Sequence, residues 1–130
     1  MKTLQNALIE AIRESMGIML KKDNKLLKKA FSSKITLDNK NFIIVINKPL
    51  LEKFALDFLD IVNPNDDILI DIAKEIANLI IGKAKVLYEN SGSIFKLGIP
   101  EFIGYKVIKN YNNVLSYKYK NMRCSIYEVV

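Results

Sequence analysis

Asp71-Ile72-Ala73-Lys74-Glu75-Ile76-Ala77-Asn78-Leu79-Ile80-Ile81-Gly82 is the stretch from which the rest of this chain can be read. Its spacing predicts a helix that is apolar around most of its circumference. At about 100° per residue, Asp71, Glu75, Asn78 and Gly82 fall within about 60° of arc. Lys74 and Lys85 flank that line, and the other positions from Ile68 to Tyr88 are Ile, Leu, Ala, Val or Tyr, with Lys83 as the exception. A helix so patterned is buried on most sides and presents one polar strip.

The chemistry of the strip follows from its residue types. A carboxamide and a carboxylate stand one turn apart beside a glycine, and neither is a useful nucleophile. An asparagine amide can accept a hydrogen from water and donate to an anionic oxygen, so it can hold a water in line for attack on phosphorus or a carbonyl. Phosphoryl transfer suits such a device, because its catalysis is mostly positioning and charge stabilisation. The carboxylate would pair with a cation on a partner. Gly82, without a side chain, would admit another surface; a mid-helix glycine otherwise costs about 1 kcal/mol.

Around this helix, 130 residues suffice for one domain with a real core, and the reading is a single domain over residues 1–130. Half of the residues are hydrophobic, which is globular composition. No apolar run is long enough to span a bilayer. The opening MKTLQNALIEAIRES, interrupted by Glu10, Arg13 and Glu14, reads as an amphipathic helix rather than a signal peptide, so the cytoplasm is the expected location. Cys124 is the single cysteine, which excludes an internal disulfide, and histidine is absent. That argues against zinc enzymes and against Ser-His or Cys-His hydrolases. The net charge of +6 comes from lysines spread along the chain.

Helical spacing of Leu4, Ala7, Leu8, Ala11, Ile12, Ser15 and Ile18 predicts a first helix from residue 3 to about 20. Lys21 to Lys34 reads as a basic connector, partly helical around Leu26 and Leu27. Two apolar runs, 34–37 and 41–47, flank Asp38-Asn39-Lys40 as a hairpin. Asn47 offers a cap and Pro49 a first turn for a helix to about Asp60. Asn63-Pro64-Asn65-Asp66 breaks the chain, with Asn65 or Asp66 capping the long helix to about Tyr88. A polar loop over 89–93 precedes expected strands at 94–97, 105–109, 114–120 and 122–129. In the third of these, Leu115, Tyr117 and Tyr119 alternate with Ser116, Lys118 and Lys120, the period of a half-buried strand. The expected class is α+β, helices packed on a largely antiparallel sheet.

The pattern Asp71-x-x-x-Glu75-x-x-Asn78-x-x-x-Gly82, followed by Leu97-Gly98-Ile99-Pro100-Glu101-Phe102-Ile103-Gly104, resembles the CheX branch of the CheC/CheX/FliY chemotaxis phosphatases. The N-terminal helix leading to Met16-Gly17 is similar too. The resemblance implies removal of the aspartyl phosphate from a phosphorylated CheY-like response regulator. In that role Asn78 would position the attacking water, and Glu75 would pair with the regulator's lysine. No cofactor would be held by this chain, and the required Mg2+ would sit on the regulator. One motif per chain and a homodimer joined through sheet edges are implied as well. In the first helix, Arg13 and Gly17 stand where a second motif would need asparagine after Glu10 and Glu14, which supports the CheX branch. The chain is short for that branch, and residues 21–42 are lysine-rich and lack the expected glycine-marked strands.

Asp71, Lys74, Gly82 and Lys85 complete the candidate site as a partner-binding set. Each has a plainer reading. Asp71 would be a first-turn acid favoured by the helix dipole, the lysines ordinary surface cations, and Gly82 a helix-packing contact. Pro100 and Gly104 read as strand terminators, and Cys124 as a small core residue. Two other functions fit the same sequence: a non-catalytic adaptor of this fold, and a nucleic-acid-binding domain suggested by Tyr117-Lys118-Tyr119-Lys120. On a strand those tyrosines and lysines face opposite sides, so a nucleic acid is not an expected partner; without an apolar run long enough to span a bilayer, neither is a membrane.

Overall fold

Helix α1, Lys2–Met16, buries Leu4, Ala7, Leu8, Ala11, Ile12 and Met16 on one stripe in the computed structural model, which describes residues 1–90 and 92–130. It stops short of residue 20 because Gly17 takes a left-handed conformation, φ 67°, and closes the helix with its N–H on the Arg13 carbonyl at 2.9 Å. Ile18 and Leu20 are buried all the same, beyond the helix end.

The basic stretch is not helical around Leu26 and Leu27. It opens with a two-residue strand β1, Lys21–Lys22, and then runs as an irregular strap over residues 23–30. Strand β2, Phe31–Leu37, starts three residues before the expected run and pairs with β3, Lys40–Ile46, around Asp38 and Asn39. The strands looked for before the second helix are therefore present without glycine markers. Helix α2, Lys48–Leu59, begins at an Asn47 cap whose side chain accepts from Leu50 N–H, and ends at a left-handed Asp60. Asn47 also donates to the Asn121 carbonyl and accepts from Arg123 N–H, pinning the helix start to the sheet.

Helix α3, Asp66–Glu89, has Asn65 as its cap, accepting from Ile68 N–H at 2.9 Å. Of the polar loop that follows, Ser91 lies outside the described residues. The strand expected at 94–97 is reduced to one bridge between Leu97 and Leu37. The strand expected at 105–109 lies earlier, as β4, Glu101–Gly104, because Gly104 at φ 97° turns the chain off the sheet. Strands β5, Tyr111–Tyr119, and β6, Met122–Val129, form the closing hairpin.

The six strands lie in the order β1-β5-β6-β3-β2-β4, every pair antiparallel. All three helices contribute to one main core on one face of this sheet, with Ile76, Ala77, Ile80 and Ile81 of α3 fully buried. The other face carries a second, smaller core. There Leu27 and Ala30 of the strap pack on Val45 and Tyr127. Polar bonds hold the strap down: Tyr127 Oη donates to the Leu27 carbonyl, Ser116 Oγ donates to the Lys25 carbonyl, and Arg123 Nε donates to Asp23 at 2.7 Å. This is why Ser116, expected on an open face, is buried. Cys124 is fully buried, and burial pushes its thiol up to about 12.

Candidate functional site

The polar strip forms as its spacing requires. Asp71 and Glu75 are exposed, and Lys74, Asn78 and Gly82 are half-buried. The strip is not isolated, however, because Leu79 and Val86 also reach solvent, Val86 with 53% of its surface exposed. A groove of about 1000 Å³ lies beside it, walled by Glu14 and Ser15 of α1, by Phe58 and Leu59 of α2, and by Leu79 and Val86 of α3. On the opposite side Asp71, Lys74, Glu75 and Asn78 share a smaller cleft of about 350 Å³ with Gly98, Ile99 and Pro100.

The segment bearing Ile99 is fastened at several points. Gly98 N–H donates to the Thr36 carbonyl at 2.8 Å, Asp38 N–H donates to the Lys96 carbonyl, and Lys96 N–H donates to Asp38 Oδ1. Phe95 N–H donates to Glu89, and the Phe95 ring stacks on Tyr88. Glycine is required at position 98, where a Cβ would overlap the Thr36 hydroxyl. Ile99 is thereby held 91% exposed beside Asn78.

Most cations near the strip are already committed. Lys74 lies 3.6 Å from Asp71, Lys83 reaches Glu14 at 3.0 Å and Glu10 at 3.6 Å, and Lys85 is bound to Glu89 at 2.9 Å. The Glu14 hydrogen bond raises the Lys83 ammonium above its ordinary value, while the Phe95 N–H and then Lys85 hold the Glu89 carboxyl below its own. Lys85 lines neither cavity and serves to tie α3 to the following segment, whereas Lys83, the exception in the sequence pattern, lines the groove. Asp71 lies beyond the first turn, whose acids are Asp66 and Asp67, so the helix dipole does not account for it. At Gly82 an added Cβ would meet only Leu97 Cδ2, at 3.8 Å, so packing does not demand a glycine there.

Glu75 and Asn78 stand apart from this web. Among the described residues, no hydrogen bond or ion pair within the chain engages either side chain. No three His, Cys, Asp or Glu residues are grouped to hold a metal ion among the described residues. What the strip offers is a carboxylate and a carboxamide with open valences, an apolar groove on one side and a fixed wall on the other. No periodicity or motif marks Phe58, Leu59 and Ile99 as rim residues, although Leu79 and Val86, seven apart, could have been read as a second exposed line.

No protein-family model matches this sequence, and no curated protein matches it either. Solved structures do. The chain is similar to the chemotaxis protein CheX from Vibrio vulnificus, with a TM-score of 0.82 and 16% identity over 98% of this chain and 93% of that one. A chemotactic CheC-like protein from Shewanella oneidensis MR-1 matches at TM-score 0.78 and 19% identity, over 99% and 95% of the two chains. CheX in a CheX-CheY-BeF3-Mg+2 complex from Borrelia burgdorferi matches at TM-score 0.71 and 15% identity, over 99% and 97%. The chain thus has the fold of CheX and CheC-like chemotaxis proteins over nearly its whole length, and it is not short for that fold.

Proposed function

We propose that this protein hydrolyses the aspartyl phosphate of a CheY-like response regulator. The observation that carries the reading is the pair of open side chains, Glu75 and Asn78, one turn apart on a helix where Asp71, Lys83 and Lys85 all have partners. The Asn78 carboxamide holds a water by accepting one of its hydrogens and directs its oxygen at phosphorus. The phosphorus–oxygen bond to the regulator's aspartate breaks, leaving a carboxylate and inorganic phosphate. Glu75 takes a lysine of the regulator in a charge-assisted hydrogen bond and so sets the approach of Asn78. In this reading the magnesium ion is carried by the regulator, where it would offset the charge on the phosphoryl oxygens. A similar fold in a complex that contains CheY supports this choice of partner.

Two chains pairing by sheet extension would complete the reading. The sheet has two edges, and β1 offers only two lysines, which disfavour strand pairing. The open side of β4, Glu101–Gly104, is the better edge for a second copy.

The test is the decay of a phosphorylated CheY-type regulator, with magnesium, in the presence of the protein or its variants. The wild type accelerates decay, and Asn78→Ala lowers that acceleration by about 100-fold or more with unchanged folding. Glu75→Ala weakens affinity and turnover together. Acceleration that survives in Asn78→Ala refutes the role of the carboxamide. Regulator binding without acceleration by the wild type identifies a non-catalytic adaptor instead.

A further inference from the structure

The charges that look evenly spread in the sequence are segregated by the fold. The three helices hold nine acidic and seven basic residues, and the rest of the chain holds five acidic and thirteen basic ones. The surplus gathers on the sheet face that the helices leave free. Lys21 is paired with Lys118, and Lys118 with Arg123, so three cations stand abreast on neighbouring strands. Arg123 bonds to the strap and Ser116, two residues before Lys118, does the same, which fixes this row on the strap side. Like charges directly opposite each other destabilise a sheet. Asp23 is the acid within reach, and it is buried and taken by Arg123.

The strap adds the exposed Lys25, Lys28 and Lys29 to that row. The 105–110 loop, whose Ile108 packs into the same small core, adds Lys106 and Lys109. Apolar groups are interleaved with these lysines: Val107 is 37% exposed, and Tyr111, packed edge-on against Tyr127, is 38% exposed.

We infer that this face docks on an anionic lipid bilayer. Ammonium groups act as point charges toward headgroup phosphates, and each lysine near such a surface contributes about a fivefold gain in partition. Interleaved Val and Tyr side chains suit an interface that is apolar beneath its charges, which a nucleic-acid backbone is not. The cations are nearly all lysines rather than arginines, whose planar fork favours bidentate phosphate readout. The attachment inferred is peripheral; among the described residues no helix is long and apolar enough to cross a membrane. The face lies across the sheet from α3, so a docked molecule keeps Glu75 and Asn78 turned to water.

The experiment is co-sedimentation with vesicles of phosphatidylcholine alone or mixed with phosphatidylglycerol, at low and high salt, with duplex DNA at equal phosphate as a competitor. The protein should bind the mixed vesicles, ignore the neutral ones and be released by salt. The triple variant Lys25→Gln, Lys28→Gln, Lys118→Gln should bind about 100-fold more weakly, while Lys2→Gln, Lys48→Gln, Lys53→Gln on the helical side should bind like the wild type. Circular dichroism confirms that both remain folded. No binding to mixed vesicles at low salt, equal weakening by both triples, or displacement by DNA would each overturn the inference.

Discussion

Replacing Gly82 by alanine separates the two readings of that glycine by the sign of two measurements. In a helix interior the change stabilises by about 0.8–1.0 kcal/mol, because glycine loses more backbone freedom on folding. The surroundings do not oppose it, since the new methyl would touch Leu97 Cδ2 at an ordinary contact distance of 3.8 Å. The expected net is a gain of about 1 kcal/mol, seen as a melting temperature raised by roughly 3–5 °C for a chain of this size. Urea and thermal unfolding followed by circular dichroism read that number directly. The same methyl stands one turn from Asn78 on the rim of the groove. If a partner seats there, regulator dephosphorylation slows even as the protein becomes more stable. A loss of stability would refute the packing argument, and a stabilised variant of unchanged activity would remove Gly82 from the docking surface.

Other perturbations test separate parts of the structure. Burial pushes the Asp23 carboxyl up, but the Lys25 N–H, Arg123 and Lys118 outweigh it and hold it below its usual 3.8. Its contribution is therefore complete above the unfolded value and is lost as pH falls through the lower folded one. Asp23→Asn should cost about 1.5–3 kcal/mol near neutral pH, with the gap to wild type narrowing in acid; a gap independent of pH would contradict the linkage. Gly98→Ala forces a methyl onto Thr36 and should destabilise by about 1–3 kcal/mol in urea unfolding; a neutral result would mean that the 95–100 segment yields. The Ser33 hydroxyl is buried without a hydrogen-bond partner among the described residues, so Ser33→Ala should leave the urea midpoint unchanged or raise it.

What could be read from sequence was what depends on near neighbours. Helix α3 repeats its pattern over 24 residues and starts at an Asn65 cap, so its extent and its strip were visible. The strap was not, because Leu26-Leu27 between lysines has helical spacing. Its extended course is imposed by Ser116, Ser125, Arg123 and Tyr127, about 90–100 residues away. Strand β2 was cut short at its start because Ser32 and Ser33 read as polar, yet both are fully buried. Within the site, Glu75 and Asn78 followed from helical phase alone. The fates of Lys83 and Lys85 did not, since they rest on where Glu14 and Glu89 fall, and Ile99 owes its position to the fit of Gly98 on Thr36.

The position of β6 has a bearing on how the molecule is made. Met122–Val129 is the last strand in the sequence but an interior one in the sheet, lodged between β5 and β3. Until those residues leave the ribosome, β3 has an open edge along Asn41–Ile46, a stretch rich in Phe, Ile and Val. That edge therefore closes only once residues 122–129 are free to pair with it. A copy cut off before Met122 would carry every side chain of the polar strip and still expose that edge to its neighbours, making it a seed for aggregation rather than a weakened form of the protein.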